Sequence, residues 1–255
     1  MSKTRLDQLL VARGLAATRE RARALILAGH VLVNGAPAAK AGAPVDESAD
    51  IALQTPDHPW VGRGGVKLAR ALDAFRLDVT GADALDIGAS TGGFTDVLLE
   101  RGARRVVALD VGRGQLAWRL RSDPRVVVIE RKNARHLSAA DLPADARRFD
   151  VVTIDVSFIS LRHILPVVPP LLAPAGRVVA LVKPQFEAGR DEVGPGGVVR
   201  DPATHARVVD EISQLAHRIG LERLGFVTSP IEGAEGNKEF FLLLCPSPAP
   251  VSSPD

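Results

Sequence analysis

Residues 84–95 read ALDIGASTGGFT. An apolar run of strand length ends in a glycine-rich turn, and the residues after it, 93–101, have the apolar spacing of a helix. Strand, glycine turn and helix in that order form the ligand-binding edge of a doubly wound α/β sheet. The alternation continues outward. ALDIG (84–88), RVVALDV (105–111), RVVVIE (125–130), DVVTIDV (150–156), RVVALVK (177–183), GFVTS (225–229) and EFFLLLC (239–245) read as seven strands. Helices are expected at 66–75, 93–101, 114–121, 160–172 and 202–219. Unbroken Val/Leu runs between helices imply strands buried on both faces, hence a Rossmann-like, mostly parallel sheet of the α/β class. The final two strands, joined only by a loop, imply one antiparallel strand.

The 255 residues are 46% hydrophobic and 24% charged, enough apolar material for a sizeable core. A formal charge of +2 gives no argument for nucleic acid or membrane, but the charge is segregated. Residues 1–45 hold 7 basic and 2 acidic side chains, and residues 101–135 hold 10 and 3. Local basic blocks, rather than total charge, are what a polyanion rewards. Cys245 is the single cysteine, so there is no internal disulfide and no thiolate zinc cluster, and the histidines show no metal-ligand spacing. No metal is expected. The start, MSKTRLDQLL, lacks the apolar core of a secretory signal, and the apolar run 164–182 holds Pro166, Pro169, Pro170, Pro174 and Arg177. A soluble, cytoplasmic protein with no membrane partner is expected.

Upstream of the sheet, residues 4–29 read as two short helices, broken at Gly14 and capped at Thr18. HVLVNGAPA (30–38) then gives a strand and an Asn34-Gly35 turn suited to a tight hairpin. Arg19 and Arg23 are four residues apart on the second helix, away from Leu25 and Ile26. A small α+β unit with an arginine face suits RNA, which is recognised largely through shape and phosphates. Lys3, Arg5, Arg19, Arg23 and Arg63 are the expected RNA contacts. The stretch 46–57 is acidic and turn-rich, HPW (58–60) before Val61 reads as a connector, and a domain boundary is expected near residue 60. The expected domains are 1–59, a linker at 60–62, a large domain at 63–246 and a disordered tail at 247–255.

The glycine turn does not match GxGxxG, because Ser90 stands where a pyrophosphate needs a glycine, and the chain has no GxxxxGK[ST] phosphate loop. Asp110 closes the second strand, 22 residues past Gly88, where a carboxylate can take hydrogen bonds from a ribose. An adenosyl cofactor without a pyrophosphate, S-adenosylmethionine, fits this pattern. Its contacts are expected from Asp86, Gly88, Ser90, Gly92, Gly93, Phe94, Asp110, Val111, Gln115, Asn133 and Asp155. Four further residues stand at strand or domain edges that converge in a parallel sheet: Lys67, Asp155, Lys183 and Glu239. Only six of the 32 basic residues are lysines, and a lysine amine, unlike a guanidinium, can give up its proton when its surroundings favour it. The glycine-rich stretch 189–197 reads as a lid or an ordinary loop, while Trp60, Trp118 and Cys245 read as packing residues.

These residues carry a family resemblance. RGGVKL (63–68), DIGASTGGFTD (86–96), LDVGRGQL (109–116), ERKNAR (130–135), TIDVSFISL (153–161), LVKPQFE (181–187) and EGNKEFF (235–241) resemble the TlyA (hemolysin A) family of ribosomal RNA 2′-O-methyltransferases. Residues 5–35 resemble that family's S4 RNA-binding domain, and the larger half resembles the FtsJ-type 2′-O-methyltransferases. Their Lys-Asp-Lys-Glu tetrad maps onto Lys67, Asp155, Lys183 and Glu239. The resemblance implies methyl transfer from S-adenosylmethionine to a cytidine 2′-hydroxyl in the RNA of the small or large ribosomal subunit. Where the family's connector carries an arginine two residues before the tryptophan, this chain has His58.

A ribose 2′-hydroxyl must lose its proton to attack, so Lys183 is assigned as a neutral general base. Lys67 would ease that neutrality by like-charge repulsion and hydrogen-bond the 2′ oxygen, while Asp155 and Glu239 orient the amines. The competing readings are a non-catalytic RNA-binding assembly factor and a membrane-lysing protein.

Overall fold

A computed structural model describes residues 3–247, apart from residues 17, 28, 39, 54–57, 147 and 234–235. The expected tail beyond Ser247 and part of the acidic, turn-rich stretch 46–57 lie outside the described residues. The chain packs as two units, residues 1–59 and 60–255. Among the described residues no helix is long and apolar enough to cross a membrane.

The first unit runs β1 (Lys3–Arg5), α1 (Leu6–Ala12), α2 (Arg19–Leu27), β2 (Val31–Val33), β3 (Ala36–Pro37), β4 (Pro44–Asp46) and β5 (Ile51–Leu53). The N-terminus of α2 is capped by Thr18, whose Oγ1 accepts the Arg21 N–H at 3.1 Å. Leu6, Leu9 and Leu10 of α1 pack with Ala22, Leu25 and Ile26 of α2 into a small core. Asn34 and Gly35 take the left-handed φ values, 49° and 79°, that a two-residue hairpin needs, and Val33 then pairs with Ala36. The acidic, turn-rich stretch and the residues just before it supply further strands: β1 pairs antiparallel with β4, and β5 pairs with β2. Strands of three residues are too short to show alternation in sequence.

The second unit runs α3 (Gly64–Phe75), β6 (Asp83–Ile87), α4 (Gly93–Glu100), β7 (Arg105–Leu109), α5 (Trp118–Arg121), β8 (Val126–Ile129), β9 (Phe149–Ile154), β10 (Leu172–Val182), α6 (Pro202–Arg218), β11 (Leu221–Thr228) and β12 (Phe240–Pro246). All seven expected strands form one sheet in the order β11-β12-β10-β9-β6-β7-β8. Only β12 runs against its neighbours. Successive side chains leave on opposite faces. Leu85, Ile87, Val152, Ile154, Val178 and Ala180 join one core, which takes in α6, while Ala84, Val151, Val179 and Leu181 join another beneath α3 and α4. This double burial explains the unbroken apolar runs.

Two expectations fail for local reasons. Residues 160–172 are not one helix but three single 3-10 turns, Leu161–His163, Leu165–Val167 and Pro169–Leu171. Ile164, Leu165, Val168 and Leu171 keep the buried, helix-like spacing, but Pro166, Pro169 and Pro170 remove the donors a continuous helix requires. The helix expected at 114–121 shrinks to Trp118–Arg121. Residues 60–62, expected as a linker, belong to the second unit, where the Val61 N–H donates to Asp96 Oδ2 at 2.8 Å and the Trp60 ring covers Gly65.

Candidate active site

The strand order reverses direction between β6 and β9, and the carboxyl ends of these strands diverge into a crevice. Two loops meet there at Gly88, with φ at 88°, where a Cβ would stand 2.3 Å from the Asp155 carbonyl oxygen. Only glycine permits that crossing. The cleft, about 590 Å³, is lined by Gly88, Ser90, Asp110, Val111, Gln115, Asn133 and Asp155 among others. A cleft of about 610 Å³ between α6 and β11 meets the expected catalytic residues only at Glu239. The first cleft meets those four residues at Asp155 alone, and it is the one at the carboxyl ends of β6 and β9.

Seven expected cofactor residues therefore line the cleft, and four do not. Asp86 is buried beneath it, accepting hydroxyl hydrogen bonds from Thr95 at 2.7 Å and Thr153 at 3.0 Å. Burial pushes its carboxyl up to about 6. Gly92, Gly93 and Phe94 turn inward: a Cβ on Gly92 would strike Leu120 and Leu116, one on Gly93 would meet the backbone of Gly64 and Gly65, and Phe94 packs on Phe241 at 6.0 Å. The N-terminus of α4, the place a pyrophosphate would use, is thus covered by α3. The donor set suits a nucleoside without a pyrophosphate. Asp110 already serves the loop, its Oδ2 accepting the Ser90 N–H at 2.8 Å and its Oδ1 the Gly112 N–H at 2.6 Å. These bonds fix a carboxylate at the end of β7.

The tetrad assembles as two ion pairs. Lys67, in the first turns of α3, places Nζ 2.5 Å from Glu239 Oε2 at the start of β12. Lys183, at the end of β10, places Nζ 2.6 Å from Asp155 Oδ1 at the end of β9. Lys67 and Lys183 are each 8% exposed and Glu239 is 2% exposed. Ammonium groups this buried require a partner. Gly233 backs Glu239, since a Cβ there would sit 2.1 Å from Oε1.

Other side chains at the site were not foreseen. Lys183 Nζ donates to Ser157 Oγ at 2.9 Å. Phe158 is 91% exposed at the cleft, with a left-handed φ of 62°. Asn237 is buried, its Oδ1 accepting the Val199 N–H and its Nδ2 donating to the Gly197 carbonyl, so one end of the glycine-rich stretch 189–197 is tied down. A serine, a phenylalanine and an asparagine stand out by neither composition nor spacing. Trp118, expected to pack, is 78% exposed.

The basic groups divide. In the first unit Arg5 and Arg19 share the buried carboxylate of Asp7, which hydrogen bonding from Arg5 first, and then from Arg19, holds down at about 2. Lys3 and Arg23 are exposed. Arg63 stands at the N-cap position of α3 without a side-chain capping bond, and donates to the Glu232 carbonyl at 3.1 Å. In the block 101–135, Arg101, Arg104, Arg105, Arg119, Arg121, Arg125 and Lys132 form ion pairs. Arg113, Arg131 and Arg135 remain exposed. Much of that block's charge is therefore neutralised locally.

Comparison with known proteins agrees with this geometry. Residues 60–245 match the FtsJ-like methyltransferase family, and residues 4–51 match the S4 domain. The 16S/23S rRNA (cytidine-2′-O)-methyltransferase TlyA of Mycobacterium tuberculosis is 49% identical over 243 residues, 95% of this chain and 90% of the relative. The putative rRNA methyltransferase YqxC of Bacillus subtilis is 49% identical over 242 residues, 95% of this chain and 85% of the relative. A solved structure described as a putative hemolysin from Streptococcus thermophilus superposes with a TM-score of 0.77 at 43% identity, covering 98% of this chain and 90% of that one.

Proposed function

The chain belongs to the FtsJ-like methyltransferases, and within them to the TlyA group that carries an S4 domain, and from that premise we propose that it methylates the 2′-hydroxyl of cytidine in ribosomal RNA with S-adenosylmethionine as donor. The observation that carries the reading is the pair of lysine–carboxylate contacts, Lys67–Glu239 and Lys183–Asp155, beside a cleft whose helix N-terminus is closed to a pyrophosphate. A decayed, non-catalytic relative would have no reason to keep two buried ammonium groups matched in this way.

When bound, S-adenosylmethionine supplies a methyl group on a sulfonium that leaves as a neutral thioether. The protein supplies the rest. Asp110 binds the adenosine ribose, with Gln115 and Asn133 at the periphery and the backbone near Gly88 at the methionine end. Lys183 Nζ takes the proton of the 2′-hydroxyl as oxygen attacks, and Asp155 holds the resulting ammonium. Lys67, held by Glu239, donates a hydrogen bond to the 2′ oxygen. Lys3, Arg5, Arg19, Arg23 and Arg63 meet the RNA backbone, and the substrate places the enzyme in the cytoplasm. The test is to map 2′-O-methyl cytidines in ribosomal RNA after incubation with the protein and with Lys183→Ala. The wild type marks cytidine ribose while the variant binds S-adenosylmethionine without transferring methyl; methylation on a base, or full transfer by the variant, overturns the reading.

A further inference from the structure

Lys183 Nζ touches two polar groups that hold it in different ways. Asp155 Oδ1 lies 2.6 Å away and pairs with the amine chiefly through its charge. Ser157 Oγ, 2.9 Å away, accepts an aligned hydrogen bond from Nζ. The two contacts also answer differently to the reaction. A lysine acting as a base reacts in its neutral form, with two N–H groups and one lone pair. Loss of the charge weakens the attraction to Asp155, which then keeps only what a neutral N–H can offer its carboxylate. A hydrogen bond from a neutral amine to a hydroxyl survives it.

The loop that carries Ser157 is fastened to the segment that carries Lys183. Phe158, next in sequence, is largely exposed, and its ring centre lies 5.3 Å from that of Phe186. Glu187 then accepts the Ser160 hydroxyl at 2.5 Å and the Leu161 N–H at 2.7 Å. Residues 157–161 and 183–187 are thus joined at three successive points, and the distance from Ser157 to Lys183 is supported by the Glu187 hydrogen bonds as well as by their own. Ser157 also lines the cofactor cleft.

We propose that Ser157 is a positioning residue of the transfer step: its Oγ holds one N–H of neutral Lys183 so that the amine lone pair faces the ribose 2′-hydroxyl. The inference rests on Lys183 being the base, as in the reading above. With one N–H taken by Ser157, the lone pair is confined to two of the three staggered positions about Cε–Nζ, and with the second N–H turned to Asp155 Oδ1, 2.6 Å away, it has one direction. Without Ser157, the amine keeps Asp155 alone, and the lone pair is aimed correctly only part of the time.

The experiment measures kcat, KM for S-adenosylmethionine and thermal midpoint for the full-length enzyme, Ser157→Ala, Ser157→Thr and Lys183→Ala on ribosomal RNA. Ser157→Ala is expected to lower kcat by roughly 10- to 100-fold, the scale of losses from misaimed reactants, with KM and midpoint near wild type. Ser157→Thr, which keeps the hydroxyl, is expected to recover most of kcat. A Ser157→Ala enzyme with wild-type kcat overturns the proposal, as does a loss that appears chiefly in KM or midpoint, or one that threonine does not restore. If Lys183→Ala itself transfers methyl normally, the base assignment fails and the proposal with it. An inactive Lys183→Ala beside a fully active Ser157→Ala sinks the proposal alone.

Discussion

Gly93 packs backbone to backbone on Gly65: a Cβ on Gly93 would stand 2.9 Å from the Gly65 amide nitrogen and 3.2 Å from Gly64 Cα. This contact joins the first turn of α4, which follows the cofactor turn, to the first turn of α3, which carries Lys67. The placement of the Lys67 helix against the glycine-rich turn is therefore set by glycines that do not line the cleft. Gly93→Ala should push α3 outward and cost about 1–3 kcal/mol, the range for overpacking a tight contact. Methyl transfer should fall with it. Denaturation midpoint and transfer rate check this, and an unchanged midpoint would show that the helices have room to spare.

The Lys67–Glu239 pair has a distinctive energetic signature. Glu239→Ala leaves a buried ammonium without its partner and should cost about 3 kcal/mol or more. Adding Lys67→Met removes the stranded charge, so the double variant should be more stable than Glu239→Ala alone. A urea double-mutant cycle measures the coupling. Strictly additive losses would mean that the two groups do not depend on one another, and all three variants should have lost transfer activity.

Asp86 makes stability depend on pH in the unusual direction for an acid. Its folded carboxyl titrates at about 6 because burial opposes the charge, above the ordinary value of 3.8. Between those two values the folded state holds the proton that the unfolded state has released, so stability falls as pH rises through this window and stays lower above it. The loss is on the order of 3 kcal/mol at most. Asp86→Asn cannot titrate and should be free of that decline, with Thr95 and Thr153 rotating their hydroxyls to suit the amide. Urea unfolding below and above the window compares the two proteins; parallel stability curves would show that Asp86 is ionised without penalty.

The four residues that form the Lys67–Glu239 and Lys183–Asp155 pairs stood out in the sequence because they occupy strand or helix edges and because lysine is scarce in an arginine-rich chain. The seven strands were legible because their burial on both faces leaves unbroken apolar runs. What escaped depends on relations no spacing encodes. Ser157 gains its place from contacts between two loops, through Phe158–Phe186 and Glu187–Ser160. Phe94 and Gly93 sit in the glycine-rich turn yet face inward, because α3 lies over the end of α4. The helix expected at 160–172 had the right buried spacing, but its prolines permitted only single turns. Arg5 and Arg19 read as an RNA-facing charge, and their commitment to Asp7 emerges only when β1, α1 and α2 pack.

That commitment separates the arginines of the S4 domain by experiment. Arg23 is exposed on α2, so Arg23→Ala should weaken RNA binding without lowering thermal stability. If it meets one phosphate, the slope of log affinity against log salt should become shallower by about 0.7 to 0.9. Arg5 donates to both oxygens of Asp7, at 3.0 and 2.9 Å, and Arg5→Ala strips those bonds from a buried carboxylate. That variant should lose thermal stability as well as RNA affinity. Electrophoretic mobility shifts over a salt series, run beside thermal melts, give both quantities. An unchanged slope for Arg23→Ala would remove that residue from the interface, and an unchanged melt for Arg5→Ala would return Arg5 from a structural role to a purely RNA-facing one.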